Sequence, residues 1–285
     1  MQRKHPPWIR ARIAENDDVR RMRELVHSRQ LHTVCESASC PNIGECWGRG
    51  TATFMILGGV CTRNCRFCDV PPGQPSPPDP DEPRRVAEAI HALHLRHAVI
   101  TSVTRDDLPD GGAAAWAEVI RRVRAENPGC RIEVLVPDFQ GDESASRRVF
   151  AARPDLFGHN LETVPRLYPA ARPQAIYARS LRVLRLAKDA GLLTKSGVMV
   201  GMGETQDDLL AVMQDLRQTG CDILTLGQYL MPTPLHLPVA RYWTPEEFET
   251  LRGIAERLGF AHVESGPLVR SSYRADQVNI AALNQ

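Results

Sequence analysis

The stretch Cys61-Thr-Arg-Asn-Cys65-Arg-Phe-Cys68, directly behind Gly58-Gly59, constrains this chain more than any other. Three thiols with three and two residues between them can hold three corners of one iron–sulfur cube, which leaves the fourth iron without a protein ligand. A cluster held by four cysteines carries electrons, whereas an iron with an open position can bind and activate a small molecule. The alternative is zinc, which close cysteine pairs also hold. Structural zinc sites usually show two pairs of ligands, and a triplet stands here instead.

A second triplet precedes it, in Cys35-Glu-Ser-Ala-Ser-Cys40-Pro-Asn-Ile-Gly-Glu-Cys46-Trp47, with four and five residues between thiols. Spacings this loose need an irregular loop folded around the metal. A three-legged zinc site with a distant fourth ligand and a second iron–sulfur cluster both fit, because both metals accept thiolates. Six of the eight cysteines fall in these triplets. With no export signal they read as metal ligands or buried thiols, not disulfides. Cys130 and Cys221 look like ordinary small buried residues. The nine histidines form no ligand set, since His91 and His94 share a helix with no further partner nearby.

The formal net charge of +1 leaves no footprint for nucleic acid or an anionic membrane. No apolar run is long enough to span a bilayer, and the start Met1-Gln-Arg-Lys-His-Pro-Pro-Trp8 is neither a signal h-region nor a transit peptide, so a soluble cytoplasmic protein is expected. A length of 285 residues permits one large α/β barrel or two ordinary domains.

Thr53-Phe-Met-Ile-Leu57 suits a buried strand that delivers the Cys61 loop. Seven prolines in the thirteen residues Pro71 to Pro83 make a stiff extended connector. From Arg84 onward, helical and strand patterns alternate: helices at 84–95, 112–126, 143–152, 174–190, 206–218 and 246–258, and strands at 97–103, 131–136, 156–160, 194–200, 222–227 and 261–264. Thr244-Pro245-Glu246-Glu247 is a capping box. The alternation implies a parallel sheet and an α/β fold, a partial (β/α)6 TIM-like barrel over residues 51–265. Residues 1–50 form an N-terminal extension carrying the second triplet, and 266–285 a C-terminal tail.

In such a barrel, chemistry gathers where the strands end. The loops there carry, in order, the Cys61 triplet, Thr104 to Asp107, Pro137-Asp138, Asn160 to Thr163, Gly201 to Thr205, and Gln228-Tyr229 with Met231 to Pro234. Polar groups converge on one face.

The Cys61, Cys65, Cys68 spacing resembles the cluster motif of the radical S-adenosylmethionine (SAM) superfamily, in which the amino and carboxylate groups of SAM chelate the open iron. Phe67 matches the aromatic that the superfamily places near the adenine. The Cys-Pro-Asn and Glu-Cys-Trp context of Cys35, Cys40 and Cys46 resembles the lipoyl synthase family, where these cysteines hold an auxiliary cluster whose sulfide becomes the product's sulfur. His159 to Thr163 and Met199 to Thr205 are similar to segments of that family too. The resemblance assigns SAM contacts to Asn160, Glu162 and Glu204, against the plainer reading of Glu204 as an acid at a helix N-terminus. Lys195 could pair with the SAM carboxylate or simply stand at a strand's solvent face. The family carries Arg-Ser-Ser-Tyr where this chain has Arg270 to Tyr273, and a serine there completes the auxiliary cluster: Ser272, with Ser271 the alternative. A serine oxygen binds iron less well than thiolate, so it can leave when the cluster must open.

The resemblance runs from Cys35 to Tyr273. It implies two 4Fe–4S clusters, SAM, and insertion of sulfur at C6 and C8 of an octanoyl-lysine. The substrate would be borne by a lipoyl-carrier domain, from a 2-oxoacid dehydrogenase E2 or a glycine cleavage H protein. A ferredoxin or flavodoxin would donate electrons. Rival readings are a sulfur-inserting enzyme of the biotin synthase kind and a non-catalytic zinc-binding barrel.

Overall fold

A computed structural model describes residues 5–10, 17–38, 40–49, 51–278 and 280–283; the remainder of the polar start, residues 1–4 and 11–16, lies outside the described residues. One sheet holds eight strands in chain order: β1 His32–Thr33, β2 Thr53–Ile56, β3 His97–Ser102, β4 Arg131–Leu135, β5 Leu156–Gly158, β6 Thr194–Val200, β7 Ile223–Gln228 and β8 His262–Gly266. β2 to β8 pair in parallel, and β1 lies antiparallel against β2. Three helices precede the repeating part: α1 Asp17–Ser28, α2 Val34–Ser37 and α3 Ile43–Gly48. Then come α4 Glu82–Ala92, α5 Ala113–Glu126, α6 Glu143–Ala151, the short α7 Tyr168–Ala171, α8 Tyr177–Asp189, α9 Gln206–Gln218, α10 Pro245–Arg257 and the terminal α11 Ile280–Leu283.

The six expected strand–helix units, β2 to α10, are present, and β8 ends the sheet. Helices cover its outside, so the strands are buried on both faces, and Phe54, Met55 and Ile56 of β2 are almost wholly enclosed. The Thr244 capping box forms as read, and a second one forms at Thr205 and Asp208. Two differences concern short elements. β1 is two residues long, too short for a periodic signal. The helix expected from Gln174 begins at Tyr177, and Pro165 and Pro169 instead open two single turns ahead of it.

Among the described residues β8 has no neighbour beyond β7, so the barrel stays open on one side. The C-terminal tail crosses that side. Asn42 Nδ2 donates to the Leu268 carbonyl at 2.6 Å, Tyr273 OH to Glu45 at 3.2 Å, and Arg49 pairs with Asp276 at 3.1 Å. At the other end of the strands Arg131 donates to the carbonyls of Asp276 and Val278, and Val278 and Ile280 pack on Leu156, Leu193 and Ile223. The tail thus runs from the mouth of the barrel to its floor. Its seat is Gly227 at the end of β7, where an added Cβ would lie 2.0 Å from the Val269 carbonyl oxygen. The N-terminal extension shares the main core: Val19, Met22 and Val26 of α1 and Trp47 of α3 pack in one cluster with Phe54 and Ile56.

Lys195 corrects the sequence reading. Its side chain is buried inside the barrel, reaching neither solvent nor the mouth. Its Nζ sits 2.7 Å from Glu133 Oε1, while His97 Nε2 lies 3.1 Å from Glu133 Oε2. Burial would raise the Glu133 carboxyl, but Lys195 and His97 overcome it and hold it at about 2. β6 starts at the barrel floor, so a residue one place into it faces β4, well below the mouth. Among the described residues no helix is long and apolar enough to cross a membrane.

Gly227→Ala is expected to lift residues 267–273 from the end of β7 while the barrel keeps its helical circular dichroism, at a cost of about 1–3 kcal/mol for overpacking. Amide exchange around Tyr273 reports this; unchanged protection there would contradict the seat.

Candidate active site: two thiol triplets and two adjoining cavities

The Cys61 to Cys68 loop leaves β2 and is tied to the loops that follow four other strands. Thr62 donates through its backbone N–H and its hydroxyl to the Thr104 carbonyl, and the Asp106 N–H returns to the Thr62 oxygen. The Arg66 N–H reaches the Ala171 carbonyl, and His236 Nε2 lies 3.0 Å from the Cys68 carbonyl. At the centre of this arrangement is Arg63, buried, with Nε and Nη2 on Asp106 at 2.7 and 3.0 Å and Nη2 on Asp138 Oδ1 at 2.6 Å. Burial would raise the Asp138 carboxyl. The bond to Arg63 and its charge, with Arg179 at 3.3 Å, outweigh that and hold it at about 2.

Cys61 Sγ accepts the backbone N–H groups of Arg63 and Thr104 at 3.4 and 3.3 Å. Burial pushes the Cys65 thiol up to about 11 and the Cys68 thiol to about 12. Buried thiols of this kind stay protonated at neutral pH until a cation replaces the proton, so loading such a site releases protons.

A cavity of about 400 Å³ opens at the carboxyl ends of the strands, bordered by Phe67, Cys68, Asn160, Glu162, Arg270 and Ser271. Glu162 has φ +67°, an unfavourable value for a residue with a Cβ. It is held there by β6 on both sides: its N–H donates to the Gly197 carbonyl at 2.9 Å, and its carbonyl accepts from Met199 at 2.8 Å. Burial raises its carboxyl, opposed by Arg172, Asn160 and Arg270. Asn160 Nδ2 donates to Glu162 Oε1 at 3.1 Å, while Asn160 Oδ1 is buried with no partner inside the protein. Gly197 keeps this corner clear, since a Cβ there would meet Thr225 Oγ1 at 2.7 Å and Asn160 Oδ1 at 2.9 Å. A lone acceptor beside a carboxylate, in a space that a methyl group would fill, suits the hydroxyls of a ribose.

Glu204 stands elsewhere. One carboxylate oxygen accepts from the Gly201 N–H and from Trp243 Nε1, the other from the Met202 N–H at 3.0 Å. The turn after β6 leaves those N–H groups without backbone partners, and the buried carboxylate satisfies them. It shapes the turn and does not border the cavity, and the acids in the first turn of α9 are Asp207 and Asp208 instead.

The second triplet lines a smaller cavity next door. Cys35 lies on α2, Cys46 on α3, and Cys40 between them, with Thr53 of β2, Arg270 and Ser272 completing the wall. Burial pushes Cys35 up to about 11 and Cys46 to about 12, and Cys40 moves in the same direction. The two serines part here: Ser272 faces the second triplet and Ser271 the mouth cavity. Cys130 and Cys221 are buried away from both.

Among the described residues no three His, Cys, Asp or Glu side chains gather as they would on a single metal ion. The residues do fit iron–sulfur clusters by the chemistry of the donor sets: three soft thiols in each, N–H donors aimed at sulfur, and one serine oxygen beside the second. The sequence reading set Asp106 and Asp138 on loops at the mouth and Arg63 inside the Cys61 motif but gave them no role, and Arg270 was legible only as a member of the Arg-Ser-Ser-Tyr run. Arg172 carries no local pattern.

A profile of the radical SAM superfamily matches residues 55–216. Lipoyl synthase from Rubrobacter xylanophilus is 59% identical over 95% of this chain and 85% of that protein, and lipoyl synthase from Chlorobaculum parvum is 55% identical over 96% and 94%. Among solved structures, Streptococcus suis SuiB bound to S-adenosylmethionine superposes with a TM-score of 0.57 at 10% identity, over 80% of this chain and 55% of SuiB. The FeFe-hydrogenase maturase HydG from Carboxydothermus hydrogenoformans superposes with a TM-score of 0.56 at 14% identity, over 93% and 78%. At such identities these two show the fold alone.

Arg63→Met leaves Asp138 with the Gln140 N–H and the longer contact to Arg179, and a loss of about 3 kcal/mol in thermal or denaturant unfolding is expected. The pH profile fixes the cause. In the native protein the Asp138 carboxyl lies below its ordinary 3.8, so its contribution is present above about pH 4 and is lost as pH falls toward 2. In the variant, burial raises the carboxyl above its unfolded value, so the deficit is largest at neutral pH and shrinks on acidification. A deficit independent of pH would contradict the ion pair as its origin.

Proposed function

The chain belongs to the lipoyl synthase family of the radical SAM superfamily, and from that membership we propose how its residues divide the work of a radical SAM sulfurtransferase. Two 4Fe–4S clusters and SAM are its cofactors. The observation that carries the division is that Cys68 of the first triplet borders the mouth cavity while all three thiols of the second line an adjoining cavity, with Arg270 in the wall between them.

Cys61, Cys65 and Cys68 hold the first cluster and leave one iron open to SAM. When bound, these groups supply a 5′-deoxyadenosyl radical from the first site and sulfur from the second. That chemistry suits a saturated octanoyl chain, whose C6 and C8 hydrogens no side-chain base could remove. Phe67 lies beside the adenine, and Asn160 and Glu162 bind the ribose through the free Oδ1 and the buried carboxylate. The apolar part of the mouth cavity, with Val198, Met199, Tyr229 and Leu230, receives the acyl chain and keeps water from it. Cys35, Cys40, Cys46 and Ser272 hold the sulfur-donating cluster. Ser272 is preferred over Ser271 because it is the serine on that cavity.

The substrate is a lipoyl-carrier protein bearing octanoyl-lysine, from a 2-oxoacid dehydrogenase E2 or a glycine cleavage H protein, and a ferredoxin or flavodoxin supplies the electrons. A free small substrate, as in the biotin synthase kind, is disfavoured by the second triplet and the Arg270 to Tyr273 tail beside it. A zinc barrel is disfavoured by the two triplets, since structural zinc sites usually show two pairs of ligands.

Anaerobic reconstitution should load about eight irons per chain, four in each cube, and the protein should form lipoyl product from an octanoyl-lysine peptide. Zinc without labile sulfide would reject the reading. Cys61→Ala should abolish SAM cleavage, whereas Cys40→Ala should retain cleavage and lose sulfur insertion; equal loss of both activities would overturn the division.

Ser272→Ala should lower the iron retained after brief chelator exposure and suppress sulfur insertion, with Ser271→Ala affecting iron retention much less. The reverse order would move the ligand to Ser271.

A further inference from the structure

Arg270 is the side chain that borders both cavities, with Glu162 and Ser271 on one side and Cys40 and Ser272 on the other. Its place is set by backbone. The Val269 carbonyl rests against Gly227, and Arg270 Nη1 lies 3.4 Å from the point where a Gly227 Cβ would stand. Of the five N–H donors of a guanidinium, one is committed among the described residues, from Nη1 to the Val269 carbonyl at 2.7 Å. Among the described residues no carboxylate forms an ion pair with it. Other arginines near the mouth are committed differently: Arg63 holds two aspartates, Arg105 holds Asp107, and Arg172 holds the carbonyls of Asn160 and Leu161.

A half-buried cation normally needs an opposite charge, because leaving it unpaired costs several kcal/mol. Cys40 and Glu162, one from each cavity, line the space on its two sides. A cluster held by three thiolates and a serine oxygen is anionic and would supply the missing counter-charge. Electron counting points the same way. When a carbon radical takes a sulfide, the carbon–sulfur bond forms and one electron passes to the irons, with no proton needed. A fixed positive charge beside those irons favours the state that has gained the electron, since cluster potentials follow local charge and hydrogen bonding.

We propose that Arg270 is a positioning residue for sulfur transfer, its guanidinium set in the wall to offset the charge of the Cys35, Cys40, Cys46 and Ser272 cluster and raise that cluster's reduction potential. The inference rests on the assignment of the second triplet made above, and its test keeps the two apart. The first cluster is removed by Cys61→Ala, and the remaining cluster of the full chain is titrated with dithionite, followed by electron paramagnetic resonance.

Retention of about four irons per chain in Cys61→Ala is required; a protein without them would overturn the cluster assignment and this inference together. Adding Arg270→Gln should then shift the midpoint to lower potential, and Arg270→Lys, which keeps the charge, should recover most of the shift. Midpoints unchanged in both, or lowered equally in both, would overturn the role of the charge and leave the cluster assignment standing. If Arg270→Gln binds no iron, the lysine variant decides: iron held near the parent's potential supports the charge, and failure to load rejects it.

Discussion

The guanidinium of Arg63 is the contact on which the mouth of the barrel depends. It binds Asp106 after β3 and Asp138 after β4 from within the Cys61 loop itself, so three consecutive loops share one buried ion network. A loop carrying three thiols has little reason to be rigid on its own. Two short contacts to carboxylates, backed by bonds to Thr104, Ala171 and His236, give it one conformation before any metal arrives. Such preorganisation suits a site in which a cofactor must meet an iron with one open position.

The barrel's open side does the complementary work. A closed eight-stranded barrel would leave no lateral gap, whereas here the tail lies across the space beside β8, seated on Gly227 and bonded to α3 through Glu45 and Arg49. The same tail delivers Arg270, Ser271 and Ser272 between the two cavities and ends on the floor, packed by Val278 and Ile280. One segment thus completes the second site, walls it from the first and covers the lower core. Truncating it would affect stability and chemistry at once.

Much of this was readable from local pattern. The triplets, the strand ahead of Cys61, the six units and the Thr244 capping box depend on spacing within a dozen residues, and local spacing survives folding. Lys195 and Glu204 have partners in the structure that the sequence did not show, for one shared reason. Each is a polar residue near a strand end, and its partner decides its role: Glu133, 62 residues away, for Lys195, and the turn N–H groups with Trp243, 39 residues away, for Glu204. Nothing in the neighbouring sequence identifies those partners.

Thiol spacing alone made metal-bearing loops the expectation, since three donors a few residues apart can ligate one centre together, and strand–helix alternation foretold the parallel barrel on which those loops sit. That Lys195 is consumed by Glu133 is decided across 62 residues, and which serine faces the second triplet and that Arg270 stands between the two cavities only when segments more than 200 residues apart meet, as Asn42 meets Leu268 across 226. Ligand identity is short-range chemistry, and the arrangement of two ligand sets around one wall is set by long-range packing.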